Sequence, residues 1–261
     1  MIKEQFEQDG KNAIETQRFL NEEYTGCADI FDELDAQFEK LKDLASVLPQ
    51  VYNVPTIAKF WILLACQQQL RLAATNLFRG HISDSFGHLR RSIELTAAGG
   101  KIVAEPDFAQ LWFDSGKGAT EYKNYKEKSN VSHLWNNTLT TVPKLRDKYA
   151  LISQKVHISV VSMVNQIGQQ VEGKKINLSF APHELTTDGT ELMIGFVFSV
   201  DTLIQVLDGL AEIFDVHQDK GFQITLNSLR GKLSLIRGAF KSKIDWNKVE
   251  AVIPENSATV S

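Results

Sequence analysis

Cysteine is nearly absent. Only Cys27 and Cys66 occur in 261 residues, far apart and without CxxC spacing. That pattern excludes a disulfide framework and a zinc knuckle. Long hydrophobic runs are missing too. The most apolar stretch, Leu192 to Val200, falls well short of the ~20 residues a membrane span needs, and Asp201, Gln205 and Asp208 follow it closely. The first residues, Met1-Ile2-Lys3-Glu4-Gln5, are polar and acidic, unlike a signal peptide. The expectation is a soluble, cytoplasmic protein in a reducing compartment, with no membrane partner. Catalytic signatures are equally scarce. There is no HExxH, no metal-ligand spacing among the six histidines, no GxSxG, and no GxGxxG after a strand. The Glu-x-x-His repeat of di-iron bundles is lacking as well. Ser115-Gly116-Lys117-Gly118 lacks the first glycine of a phosphate loop and follows no strand, so it reads as a turn. No metal and no cofactor are expected.

What is present is material for a core. Hydrophobic residues make up 43% and charged residues 23%, which argues against disorder. The net charge is −4, so overall electrostatics announces no nucleic-acid binder. Its distribution is uneven. Residues 1–48 carry twelve acidic and five basic side chains, whereas Lys220 to Lys248 holds seven basic residues against Asp245 alone. A basic segment of this kind meets phosphate, an acidic partner, or the chain's own acidic N-terminus.

Apolar residues recur at spacings of three and four almost throughout. A weak amphipathic helix over 2–24 carries Ile2, Phe6, Ala13, Leu20 and Tyr24. A stronger one over 29–48 carries Phe31, Leu34, Phe38, Leu41, Ala45 and Leu48. After a loop between Pro49 and Pro55, with Thr56 as cap, come two long helices. The first aligns Phe60, Leu63, Leu70, Ala74 and Leu77; the second aligns Ile82, Phe86, Leu89, Ile93 and Ala97. A hinge at Arg79-Gly80-His81 turns them into an antiparallel pair, and Gly99-Gly100 reads as a stop. A short helix follows Pro106, then a Lys- and Tyr-rich helix over 119–129, then a loop over 130–142. Pro143 opens a helix to about Ile167. A long connection from Gly168 to Thr187 has room for one short extended piece at Ile176–Phe180 and fits a lid or binding loop. Asp188 and Glu191 resemble a capping box for a helix running to Phe214, apolar enough to lie centrally. A last helix steps through Phe222, Leu226, Leu229, Leu233, Ile236 and Phe240 like a coiled-coil seam, directed into the fold or against a second subunit. No alternating run of any length predicts a strand. The fold class is all-α, a bundle of about seven to eight helices. It forms a single domain over 1–248, with a loose tail over 249–261.

Two polar pairs stand out. Arg90 and Glu94 are one turn apart at the edge of an apolar stripe. The arginine must keep its charge and find acceptors. Glu94 supplies them in a structural reading; in a functional one the planar fork is offered to phosphate. Ser153 and His157 are also one turn apart, beside Val156 and Val160. A histidine there is either a satisfied core residue or a general acid or base near neutral pH. The Tyr122, Lys123, Tyr125, Lys126, Lys128 helix stacks on bases in one reading and is a solvated helix with snorkelling lysines in the other.

These residues carry a resemblance. Leu77-Phe78-Arg79-Gly80-His81, then Leu89-Arg90-Arg91-Ser92-Ile93-Glu94-Leu95, then Tyr149-Ala150-Leu151-Ile152-Ser153 with His157, resemble the HEPN-like helical proteins of bacteria. The likeness spans residues 57–214 as an order of helices. It implies RNA or nucleotide binding, dimers, and in many members ribonuclease activity in toxin or phage-defence systems. The usual arginine four to six residues before the histidine is lacking here, since Arg146 is the nearest one before His157. On this resemblance His157 would shuttle protons, Arg90 would hold phosphate, and Glu94 and Ser153 would orient them. The competing expectation is a non-catalytic helical module, dimeric through the Phe222–Phe240 seam, whose polar pairs satisfy one another or that meets another protein.

Overall fold

The computed structural model describes residues 2–47, 53–129, 134–135, 139–156, 167–172, 175–180 and 189–241. Pro49, His157, Pro182, Asp188 and the 249–261 tail lie outside them. The described elements are α1 (Ile2–Glu23), α2 (Asp29–Val47), α3 (Val54–Phe78), α4 (Ile82–Ala104), α5 (Phe108–Asp114), α6 (Ala119–Lys128), α7 (Val142–Val156), β1 (Ile167–Glu172), β2 (Lys175–Phe180), α8 (Thr190–Ile213) and α9 (Lys220–Lys241). The architecture is an all-α bundle. Its nine described helices slightly exceed the seven to eight expected.

The hinge forms where the sequence places it. Gly80 takes φ +82°, and its N–H bonds the carbonyl of Leu77, closing the end of α3. α3 and α4 then pack along their length. The start of α3 differs from expectation. Asn53, not Thr56, is the cap: its side-chain oxygen accepts from the Thr56 N–H at 2.9 Å, and Pro55 sits in the first turn, where a missing N–H costs nothing.

α4 does not stop at Gly99-Gly100; it continues to Ala104. Gly99 lies at the crossing with α8 instead. A Cβ on Gly99 would lie 2.6 Å from Ile213 Cδ1, so the missing side chain lets the two helices approach. α8 is central, as its girth of apolar residues predicts. It touches α2, α3, α4, α7 and α9. By length and composition it is the one described helix that could cross a membrane, yet 72% of its apolar window is buried within the fold. Asp201 and Asp208 punctuate its outer side: Asp201 meets Lys148 of α7 at 2.6 Å, and Asp208 meets Arg230 of α9.

The helix opened by Pro143 is described only to Val156, and Ile167 begins a strand rather than ending a helix. β1 and β2 pair antiparallel from Ile167 opposite Phe180 to Glu172 opposite Lys175. Alternation is present in Ile176, Leu178 and Phe180, but six residues with glutamine and glycine opposite make a faint signal beside helices of twenty.

The Phe222–Phe240 seam is fully buried within the fold, against α2 and α8. It is therefore not a subunit interface. The basic face of α9 turns toward acids of the same chain: Lys232 pairs with Glu33 of the acidic α2, and Arg237 lies 3.4 Å from Asp201. One contiguous hydrophobic cluster joins side chains from α1 at Leu20 to α9 at Phe240.

Candidate functional site

Packing of α7 against α4 brings the first predicted pair into a three-residue ring. Arg90 Nε donates to Glu94 Oε1 at 3.1 Å, and Arg90 Nη2 donates to Tyr149 Oη at 2.8 Å. The Tyr149 hydroxyl in turn donates to Glu94 Oε1 at 3.2 Å. The guanidinium also lies over the Tyr149 ring, 5.0 Å from its centroid. All three side chains are half-buried. Arg91, one residue on and largely exposed, reaches the other Glu94 oxygen at 3.5 Å. Glu94 thus holds two guanidinium groups, and only one of them is tied down by a second partner on α7.

Tyr149 joins the site without having been singled out by periodicity, which places it only as one member of an apolar stripe. The signal that could have found it is its hydroxyl, because a stripe tyrosine needs a partner for its O–H. Burial pushes its phenol up, Glu94's charge adds to that, and Arg90 opposes it. The phenol is therefore protonated at neutral pH and acts as a donor. Trp135 packs edge-on to the same ring, with centroids 5.5 Å apart.

Ser153 lies one turn beyond Tyr149 on α7. Its Oγ is buried and has no hydrogen-bond partner among the described residues. His157, its predicted partner, lies outside them, so the convergence of the serine–histidine pair with Arg90 and Glu94 is described only as far as Ser153's helix. The described groups hold and neutralise charge.

A third element borders the cluster. Tyr125 of α6 rests on Phe108 at 6.0 Å between centroids. Burial pushes the Tyr125 phenol up, while Arg91 pulls it down and Glu94 raises it, so α6 lies within electrostatic reach of that pair. None of α6 is buried: Tyr122, Lys123, Lys126 and Lys128 all face outward. α6 packs on α5, and of its residues Tyr125 is the one within electrostatic reach of Arg91 and Glu94. Among the described residues no group of three or more His, Cys, Asp or Glu side chains could hold a metal ion. Both cysteines are buried and free, with thiols pushed up to about 12 by burial, which makes them poor nucleophiles.

Comparison with protein-family models, with curated proteins and with solved structures finds no match.

Proposed function

We propose that the face formed by α4, α6 and α7 binds a phosphate-bearing ligand, with single-stranded RNA as the class that fits best. The observation carrying this reading is the Arg90–Glu94–Tyr149 ring with Arg91 beside it. Glu94 and Tyr149 fix the Arg90 fork, and Arg91, largely exposed, is the cation left to move toward a phosphate. The outward lysines and Tyr122 of α6 supply what a flexible single strand needs, a cationic track and a ring to stack on. If cleavage accompanies binding, the 2′-hydroxyl attacks the adjacent phosphorus and the leaving 5′-oxygen takes a proton. His157 is the group that would carry those protons, with Arg90 neutralising the phosphorane charge. On this reading the HEPN resemblance marks a phosphate-binding branch in a toxin or phage-defence setting.

A labelled single-stranded RNA titrated by fluorescence anisotropy tests this. Binding is expected to weaken as salt rises, and the Arg90→Ala, Arg91→Ala double variant is expected to lower affinity at least tenfold and flatten the salt slope. His157→Ala should leave binding intact and abolish any cleavage. Equal binding by wild type and the double variant, or none by either, rejects the proposal. The second reading draws on the same ring. Three groups that satisfy one another are also what a structural tie between α4 and α7 requires. In that case Tyr149→Phe lowers stability by about 1 kcal/mol and leaves no ligand phenotype.

A further inference from the structure

A cavity of about 530 Å³ opens where the segment 139–141 and the start of α7 meet the last turns of α8 and the first turn of α9. That volume lies in the range of small-molecule sites. Its lining is mostly polar, and part of that polarity is unused. Thr141 stands at the cap position of α7, where its carbonyl accepts from the Leu145 N–H at 3.1 Å. It is only 9% exposed, yet its Oγ1 has no hydrogen-bond partner among the described residues. His217 Nδ1 is in the same state, since the Asp215 oxygen at 3.6 Å is beyond hydrogen-bond range. Buried polar atoms without partners cost stability unless something outside the chain meets them. A second cavity of comparable volume, among α1, α2 and α3, has no such atom in its lining.

Charge on the walls is divided. Asp208 and Glu212 lie one turn apart on α8, and Lys144 lies in the first turn of α7. Asp208 is neutralised by Arg230 of α9. Glu212 accepts from the Thr140 N–H at 2.6 Å and from the Thr140 hydroxyl at 2.8 Å. Those bonds orient its carboxylate without cancelling its charge. Among the described residues Lys144 has no ion-pair partner. One carboxylate and one ammonium therefore share the cavity without pairing. Val103 and Leu139 add an apolar wall.

We propose that this cavity binds a free α-amino acid with an apolar side chain. A ligand of one sign meets opposition: a phosphate faces Glu212 and Asp208, and a simple amine faces Lys144. A zwitterion answers both walls. Its carboxylate goes to Lys144 and the Thr141 hydroxyl, at the N-terminus of a 15-residue helix whose dipole favours an anion. Its ammonium goes to Glu212, whose oxygens each keep a lone pair beyond the one given to Thr140. Its side chain lies against Val103 and Leu139. None of these residues belongs to the Arg90–Glu94–Tyr149 ring, so the proposal does not rest on the phosphate reading, and RNA binding can fail while this site stands.

Isothermal titration calorimetry of the full chain with L-leucine and with L-phenylalanine tests this. At least one is expected to bind, with a Kd of about 0.01–1 mM. Isocaproate, which is leucine without its ammonium, should bind at least tenfold more weakly. Isoamylamine, which is leucine without its carboxylate, should do the same, and inorganic phosphate should not bind. Lys144→Met, at an exposed side chain, is expected to weaken the amino acid at least tenfold and to leave isoamylamine no weaker than before. Glu212→Gln should also cost the amino acid at least tenfold. Arg146→Met, two residues from Lys144 and outside the cavity, should change nothing. If Glu212→Gln unsettles the segment that Thr140 anchors, Lys144→Met decides alone. No binding of either amino acid up to about 10 mM overturns the proposal. Equal binding by either half-molecule, binding of phosphate, or binding indifferent to Lys144→Met overturns it too.

Discussion

The helices α1 and α9 are both 22 residues long, and they are held to the fold by opposite means. α9 presents six apolar side chains inward, all of them buried, and turns Arg230, Arg237 and Lys232 to carboxylates on α8 and α2. α1 presents Asp9, Asn12, Thr16 and Leu20 inward, only one of them apolar, and leaves Phe6 70% and Ile14 71% exposed. Its attachments include specific polar contacts. Asp9 meets His81, at the start of α4, at 3.2 Å. The Phe19 ring lies against Gly189, whose φ is +63° and where an added Cβ would sit 2.2 Å from the ring. Burial of apolar area is non-directional and additive, so α9 is secured by many interchangeable contacts. Polar anchoring is directional and vulnerable one contact at a time. α1 is thus expected to open at lower free energy than the body of the bundle.

The sharpest way to break this contrast lies in α9. Phe222 is fully buried at the first turn of the seam. Phe222→Ala removes a large ring from a packed core and should cost about 3–5 kcal/mol by denaturant titration. Because the seam belongs to the common core, hydrogen exchange should speed up in α2, α8 and α9 together. Ile224→Ser, two residues on and exposed, should stay within about 0.5 kcal/mol. A small loss for Phe222→Ala would mean that α9 is no better anchored than α1.

A middle-sized effect is expected at the polar anchor. Asp9→Ala deletes the carboxylate facing His81 and should cost about 1–3 kcal/mol. The loss should be local: amides of α1 exchange faster, while those of α9 keep their protection. If α9 and α1 lose protection equally, the two helices unfold as one unit, and the distinction between them fails.

The same contrast explains what the sequence made legible. Four-three stepping located α2, α3, α4, α8 and α9, because there the inward row is the apolar row. In α1 the stripe of Ile2, Phe6, Ala13, Leu20 and Tyr24 holds at Leu20 and Tyr24 but was the wrong face at Phe6, since Asp9, Asn12 and Thr16 also face the core and periodicity in hydrophobicity cannot report them. Gly99-Gly100 looked like a stop because glycine's low helix propensity was weighed without the α8 crossing that needs it small. Arg90 and Glu94 were visible as a pair at the edge of an apolar stripe. Tyr149 was not visible as their third member, because nothing local relates α4 to α7 across more than fifty residues. The exposure of Ile57, Trp61 and Leu64 on α3 was hidden for a similar reason. A helix apolar on every side gives no indication of which side the fold will cover.

The smallest effect is expected at Thr16, and its sign matters more than its size. Thr16 is fully buried on the inner face of α1, and its Oγ1 has no hydrogen-bond partner among the described residues. A buried hydroxyl without a partner has lost its water and gained nothing in return. Valine has the same branched shape and nearly the same helix propensity. Thr16→Val should therefore leave packing unchanged, remove the desolvation cost, and stabilise the protein by up to about 1 kcal/mol. The measurement is the denaturant midpoint at an unchanged m value. Phe6→Ser, on the solvent side of the same helix, should shift nothing and serves as the control. A destabilisation beyond about 0.5 kcal/mol for Thr16→Val would show that the hydroxyl is satisfied in solution. The inner face of α1 would then be a complete polar network rather than a compromised apolar one, and α1 would be anchored more firmly than its contacts indicate.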